Sequence, residues 1–241
     1  MSVLTANAIP FTPVSNSSSV SASGTVTSAD SGTLTYSDSH DYGEASGVVG
    51  ITIPGMGPFL WNTTSRSTLE LAITDGIKAS GGVSVSAAPT SPWAPVHSMA
   101  MASSVFDMVF TLTEQVHYTL SGLIAYREGS SVRLILSMLD GPSLVEARDP
   151  GGHWGGPYWE SSFNLTGILS PGDYHLMALA DGIATGGYAT SNPSSAGFSF
   201  ALDFTSQIQA AQVPDAGSTL WLALPLSGLM MVAWRKQRSK G

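Results

Sequence analysis

The side chains that could act as nucleophiles, general bases or metal ligands are few and poorly spaced for such roles. The chain of 241 residues has no cysteine and five histidines: His40, His97, His117, His153 and His175. No two histidines have the His-x-x-x-His or His-Glu-x-x-His spacing that binds zinc on a helix. No Gly-x-Ser-x-Gly motif marks a nucleophilic serine, and thiol catalysis and zinc–thiolate sites are excluded. We therefore expect a non-enzymatic protein. The alternative is a secreted hydrolase with a cryptic catalytic site.

A glycine-rich segment at 149–160 gathers aromatic side chains. It contains Trp154, Tyr158 and Trp159 within a few residues of one another. Exposed aromatic rings offer an apolar face to sugar rings, and polar neighbours can meet the sugar hydroxyls. One interpretation is that these rings plug the open end of a β-sandwich. The other is a glycan-binding platform, which Trp93 could join.

An acidic segment precedes residue 45 and consists otherwise mainly of serine, threonine and glycine. Its carboxylates belong to Asp30, Asp38, Asp41 and Glu44. Oxygen ligands at loop spacing can bind calcium at extracellular concentrations, although this pattern is not an EF-hand. The two interpretations are a calcium site and a solvated edge hairpin, and we expect no other cofactor.

Charge is scarce and unevenly distributed along the chain. Charged residues make up 11% of the sequence, and the formal net charge is −8. An average soluble domain has about 25% charged residues. Residues 1–217 contain five basic and seventeen acidic residues and carry −12, whereas residues 218–241 carry +4. An acidic protein lacks the basic face that nucleic-acid binding needs, so we expect no nucleic-acid partner.

The basic C-terminal residues follow an uncharged apolar run at 218–234. Seventeen helical residues span about 25 Å, slightly less than the ~30 Å hydrocarbon core of a bilayer. Cationic side chains beside such a span favour the cytoplasmic side, so the tail 235–241 would stay inside and residues 1–217 would lie outside. A buried core helix is the alternative. The cationic side chains of the membrane stop are Arg235, Lys236 and Arg238.

A short motif stands directly before this apolar run. It reads Val213, Pro214, Asp215, Ala216 and Gly217. Motif, span and basic cluster together resemble the PEP-CTERM class of bacterial sorting signals, most closely the variant that reads Val-Pro-Asp-Ser-Gly. Four positions match that variant, and Ala216 replaces its serine.

The resemblance implies that an exosortase, a membrane-embedded transpeptidase-like enzyme, recognises the motif, cuts near it and releases or re-attaches the exported domain. It also implies that the precursor lies in the inner membrane and that the processed protein lies at the cell surface or in an exopolysaccharide matrix. The catalytic residues of this step would belong to the exosortase.

The N-terminus lacks the signal that export requires. Residues 1–8 have neither a basic segment nor an adequate apolar run, which taken alone indicates a cytosolic protein. Ala6-Asn7-Ala8 nevertheless fits the small-x-small pattern of a signal-peptide cleavage site. We therefore hypothesise that the true start lies upstream, that residues 1–8 are a signal remnant, and that the chain up to residue 24 is a flexible leader.

Between residues 25 and 205 short alternating runs replace helical periodicity, which predicts strands. Even positions are apolar in Phe106–Leu112, so one face should be buried and the other solvated. The segment Arg127–Ser131 predicts a hairpin turn, and Leu169–Tyr174 predicts a Pro-Gly turn that leads into another strand. The predicted strands are Thr25–Tyr36, Ala45–Ile53, Thr68–Thr74, Gly82–Ala87, Val105–Thr113, Tyr118–Arg127, Val132–Leu139, Glu160–Leu169, Asp173–Ala180 and Phe198–Phe204.

These patterns predict an all-β fold, a β-sandwich or jelly-roll-like ectodomain at 25–205. A linker with the sorting motif at 206–217, one transmembrane helix at 218–234 and a cytoplasmic tail at 235–241 would follow it. The expected role is structural or adhesive. A carbohydrate-binding module acting on exopolysaccharide through the aromatic segment is the alternative.

Overall fold

Thirteen β-strands make up the described part of the chain in this structure, a computed structural model. The described residues are 11–28, 32–52, 60–87, 96–127, 129–148, 159–186 and 193–206. In chain order the strands are β1 (Phe11–Asn16), β2 (Ser19–Ser28), β3 (Gly32–His40), β4 (Gly43–Thr52), β5 (Leu60–Ile73), β6 (Gly76–Ser86), β7 (Val96–Leu112), β8 (Val116–Tyr126), β9 (Ser130–Met138), β10 (Ser143–Arg148), β11 (Trp159–Leu169), β12 (Gly172–Thr185) and β13 (Ser194–Ser206).

The strands form two antiparallel sheets that enclose one core. Sheet A has the order β10-β9-β12-β7-β2-β3, and β1 pairs with the end of β7 that β2 leaves open. Sheet B has the order β11-β8-β13-β6-β5-β4. The buried side chains of both sheets belong to a single hydrophobic cluster. The predicted all-β fold and the β-sandwich are thus confirmed for the described residues.

The last eight strands pair as a nested ribbon. β6 pairs with β13, β7 with β12, β8 with β11, and β9 with β10. The ribbon folds over so that successive pairs alternate between the two sheets, which is the arrangement of a double-sheet jelly roll. The first five strands widen this core, since β2 and β3 extend sheet A beyond β7 and β5 and β4 extend sheet B beyond β6.

One half of the interior is aromatic because the alternation along β7 and β13 points large side chains inward. Phe106 and Phe110 are fully buried, whereas Asp107 between them faces outward. The ring of Phe106 lies 5.3 Å from that of Phe200, and the ring of Phe110 stacks at 5.7 Å on Tyr174. The edge-on contact of Phe106 with Phe200 joins the two sheets, whereas the stacked contact of Phe110 with Tyr174 joins neighbouring strands of sheet A. Both add to the burial of apolar area.

The other half of the interior is filled by small and hydroxylated side chains. Ser67 of β5 donates to the Ser103 carbonyl oxygen at 2.6 Å, and Ser104 of β7 donates to the Thr68 carbonyl oxygen at 2.8 Å. These bonds cross between the sheets, which small side chains allow to approach closely. These two buried hydroxyls are tolerated because each has an acceptor. The interior thus changes from aromatic to hydroxylated across the sandwich.

The flexible leader predicted up to residue 24 is wrong for residues 11–24. Strand β1 and the first half of β2 lie there, and Phe11, Val20 and Ala22 are buried in the core. Serines alternate with these positions along β2 and point outward. The serine content that suggested a leader belongs to the outer face of the strand. Residues 1–10, including the hypothesised signal remnant, lie outside the described residues.

Three local features also differ from the predictions. The single strand expected at Thr25–Tyr36 is the end of β2 and the start of β3, which pair with each other. Strand β10 was not predicted. The turn at 127–131, where Gly129 has a φ of 75°, carries the chain from sheet B to sheet A, so β8 and β9 do not form a hairpin. The turn before β12 is confirmed, with Gly172 in the first position of the strand.

Candidate functional site

The residues of the predicted sorting signal lie outside the described part of the chain, which ends at Ser206. This holds for the motif, the apolar span and the basic cluster: Val213, Pro214, Asp215, Ala216, Gly217, residues 218–234, Arg235, Lys236 and Arg238. Among the residues that the structure describes, no helix has the length and apolar character needed to cross a membrane. The sorting signal and the transmembrane helix therefore stay predictions.

The structure describes one of the three residues of the proposed aromatic platform. Trp154 and Tyr158 lie outside the described residues, as does Trp93. Trp159 is the first residue of β11, pairs across with Tyr126 of β8, and is 46% exposed. This indole is partly exposed at the surface beside the end of the sandwich.

Two of the acidic residues before position 45, Asp38 and Glu44, pair with neighbouring groups. Asp38 accepts from the Ser46 backbone N–H at 3.1 Å and lies 3.0 Å from His40 Nε2. Glu44 of β4 forms an ion pair with Arg66 of β5 at 2.8 Å. Asp30 lies outside the described residues, and within those residues no three histidines or carboxylates come close enough to hold a metal ion. The calcium site stays a prediction.

A carboxylate–imidazole pair lies on the outer face of sheet A. His175 Nε2 of β12 is 3.0 Å from Asp107 Oδ1 of β7, and both side chains are about one-third exposed. On the same face Thr111 donates to Asp173 at 2.5 Å. Sequence reasoning missed this pair because its members are 68 positions apart. Only the β7–β12 register brings them together, and no local motif reports that register.

A shallow cavity of about 580 Å³ lies on the outer face of sheet B. Its floor is made of Ser80, Ser121 and Ser199 from β6, β8 and β13, and Glu70 and Lys78 provide one charge of each sign at the side formed by β5 and β6. Small side chains leave the room, and hydroxyls, a carboxylate and an ammonium group offer hydrogen bonds to a polar chain. Sequence reasoning missed this cavity because the order of strands in the sheet creates it.

No protein-family model matches this chain, and no curated protein is significantly similar to it. Solved structures give weak matches, each at 13% identity. The enzymatically active domain of bacteriophage CBA120 tailspike protein 4 aligns with a TM-score of 0.28 over 58% of this chain and 19% of its own. The infectious bursal disease virus Gx strain structure aligns with 0.24 over 80% and 58%. The Arthrobacter globiformis T6 isomalto-dextranase complexed with panose aligns with 0.23 over 75% and 30%.

These likenesses carry no argument about function, since every TM-score is far below 0.5. The chain also covers less than two thirds of each of those structures. The described residues by themselves define an all-β protein with a two-sheet sandwich. Its surface offers an exposed tryptophan at the start of β11, a carboxylate–imidazole pair on sheet A and a hydroxyl-lined cavity on sheet B.

Proposed function

We propose that this is an exported β-sandwich protein that an exosortase sorts to the cell surface or an exopolysaccharide matrix, where it is structural or adhesive and not catalytic. The observation that carries the proposal is the order of three sequence elements. The motif Val213–Gly217 comes first, the uncharged run 218–234 follows, and the cluster Arg235–Arg238 comes last.

Each of the three elements has its own task in this sorting step. The uncharged run is long enough to hold the precursor in the bilayer, and the cationic cluster fixes its cytoplasmic end. Proline and glycine disfavour regular structure, so we expect a motif that contains Pro214 and Gly217 to be accessible to an enzyme at the membrane surface. Cleavage near the motif would then separate the acidic domain from its anchor.

The described surface is compatible with a role in a hydrated polymer matrix. Along the outer faces of β2 and β3, hydroxyls stand opposite one another, as in the 3.0 Å bond between Thr27 and Thr33. Hydroxyl rows can exchange hydrogen bonds with water and with polysaccharide hydroxyls. The absence of cysteine means that stability of the exported domain does not depend on disulfides.

The proposal is tested by following the protein in exosortase-positive cells. The double variant Pro214→Ala/Asp215→Ala should stay full-length in the membrane fraction, because its motif is no longer recognised. A control variant, Gln209→Ala/Gln212→Ala, changes the linker outside the motif and should be released like the wild type. Release of the motif variant at the wild-type level would contradict the proposal.

Glycan binding through Trp154, Tyr158 and Trp159 is the second candidate, and the 46% exposure of Trp159 favours it. Retardation of the protein in gels that contain exopolysaccharide measures such binding. Trp154→Ala and Trp159→Ala should each reduce the retardation, whereas Ile168→Ala, which removes a 51% exposed side chain at the other end of β11, should not. Unchanged retardation in both tryptophan variants would refute the platform.

A further inference from the structure

Strand β11 is a long edge strand of sheet B. It pairs with β8 in continuous register from Trp159 to Leu169, without a bulge. From Ser161 to Leu169 its other side pairs with no strand among those that the structure describes. The strand contains no proline, lysine or arginine. Such a regular edge offers its backbone groups to another strand.

The other edges carry features that discourage such pairing. Strand β10 has only six residues, a register shift between Ser143 and Val145, and an ion pair between Arg133 and Glu146 at 3.2 Å. Strands β3 and β4 lie against each other across the two sheets, where the ring of Tyr36 fits against Gly47. Short strands, bulges, charges and covering elements are the usual ways of protecting an edge. Within the described residues β11 is long, has no bulge and no covering strand, and its one charged residue, Glu160, lies near its start.

The apolar side chains of β11 are not fully covered within the described residues. Phe163 packs on the core cluster but stays partly exposed, and Leu165 is 37% exposed. Both lie on the side of the strand that faces sheet A. Ile168, on the outer side, is 51% exposed. Among the described elements, β11 packs extensively against β8 alone.

We propose that a second copy of this chain pairs with β11 as an antiparallel strand, so that two six-stranded sheets become one continuous sheet. The sequence of β11 is self-complementary when the two-fold axis passes through Asn164. Phe163 then lies opposite Leu165 of the second copy, and Ser162 lies opposite Thr166. Directly opposed residues of an antiparallel pair point to the same face, so at these two central pairs apolar meets apolar and polar meets polar.

Charge and symmetry also favour this occupant. In the Asn164-centred register Glu160 lies opposite Ile168, and the two Glu160 side chains are eight residues apart, about 26 Å at ~3.3 Å per residue. A pairing centred between two residues would place Phe163 on the wrong face and is excluded by the alternation. Because both copies contribute the same edge, the pairing closes as a dimer and does not continue into a fibre.

The cysteine-free chain permits a direct test by cross-linking of single-cysteine variants of the full-length protein in membranes. Asn164→Cys places one thiol on the proposed axis. Opposed Cα atoms in antiparallel strands are about 4.5–5.5 Å apart, within the range that a disulfide bridges. Under mild oxidation with copper-phenanthroline, oxygen removes two electrons and two protons from the two thiols as the S–S bond forms.

The matched control is Val48→Cys, which places a thiol on the 63% exposed position of the other sheet B edge, β4. We expect Asn164→Cys to form the disulfide-linked homodimer at least about tenfold faster, because pairing holds its thiols at contact distance. Adding Ser162→Lys and Thr166→Lys, which sets like charges opposite each other, should abolish the difference.

Equal cross-linking rates for the two single-cysteine variants would overturn the proposal. So would a cross-link of Asn164→Cys to a different protein, or a cross-link that persists unchanged in the lysine variant. A Ser162→Cys and Thr166→Cys mixture gives an independent check of the register, since the proposed pairing joins the two variants to each other in preference to themselves.

Discussion

At the residue scale, a tyrosine holds the two sheets together at the β3–β4 edge. The ring of Tyr36 lies over Gly24 of β2, its cross-strand neighbour, and against Gly47 of β4, and a Cβ on either glycine would overlap the ring. Its hydroxyl bonds to the buried Ser65 hydroxyl, which donates to the Ser23 carbonyl oxygen at 3.2 Å. The two glycines are needed for close approach of the ring.

This contact predicts a coupled effect of two substitutions. Gly47→Ala should lower the free energy of unfolding by about 1–3 kcal/mol, the usual range for overpacking. In a Tyr36→Ala background the same change should cost less than about 0.5 kcal/mol, because the overlapping ring is gone. Urea unfolding of the four proteins measures this cycle. An equal cost of Gly47→Ala in both backgrounds would show that the ring is not what excludes the methyl group.

A second residue-scale prediction concerns Tyr174, which is 2% exposed. Burial raises the pKa of the Tyr174 phenol above its ordinary value of 10.0, and the phenol donates to the Ser170 carbonyl oxygen at 2.8 Å. The folded state thus favours the protonated phenol. Its contribution to stability is fully present below pH 10 and decreases as the pH rises above the pKa of the unfolded chain.

Tyr174→Phe should therefore lower the free energy of unfolding by about 0.5–1.5 kcal/mol at pH 7, through loss of the hydrogen bond. The difference from wild type should shrink as the pH rises above about 10. Chemical unfolding of both proteins at pH 7 and at alkaline pH measures this difference. The other tyrosines are present in both proteins, so their titration cancels in the comparison. A difference that stays constant with pH would contradict the assigned pKa direction.

At the element scale, β1 is a structural part of the sandwich. Phe11 is 5% exposed, and its ring lies 5.1 Å from Phe204 of sheet B and 6.1 Å from Phe110 of sheet A. We expect Phe11→Ala to reduce the free energy of unfolding by about 3–5 kcal/mol. Val14→Ala, at a 62% exposed position of the same strand, should change it by less than about 0.5 kcal/mol. Similar effects of the two variants in thermal unfolding would mean that β1 does not pack on the core.

The alternation of buried and exposed residues along single strands could be predicted from the sequence, whereas the strands that pair with them could not. Phe106, Met108 and Phe110 face inward as their spacing indicates, because a period of two defines the two faces of a strand. This alternation does not tell which of the two sheets a strand joins. The turn at Arg127–Ser131 could therefore be located from the sequence, but not the fact that it connects sheet B to sheet A. Strand β10 was missed because it is short and only Val145 is described as buried in it.

At the scale of the whole molecule, two parts with different charges share one chain. Residues 1–217 carry −12 and residues 218–241 carry +4. The proposed sorting signal could be inferred from sequence because its three elements are contiguous. The cavity on sheet B and the Asp107–His175 pair could not be, because strands distant in sequence create them. If the anchor is removed, the released protein has a net charge near −12, which suits a solvated matrix component.

Intact-mass spectrometry of the mature protein from exosortase-positive cells tests whether the sorting signal is cleaved. We expect a mass that places the C-terminus within or beside Val213–Gly217, with the apolar run and the basic cluster removed. A strain without the exosortase should retain the uncut chain. A mature protein that keeps its sequence through Gly241 in exosortase-positive cells would contradict sorting by cleavage.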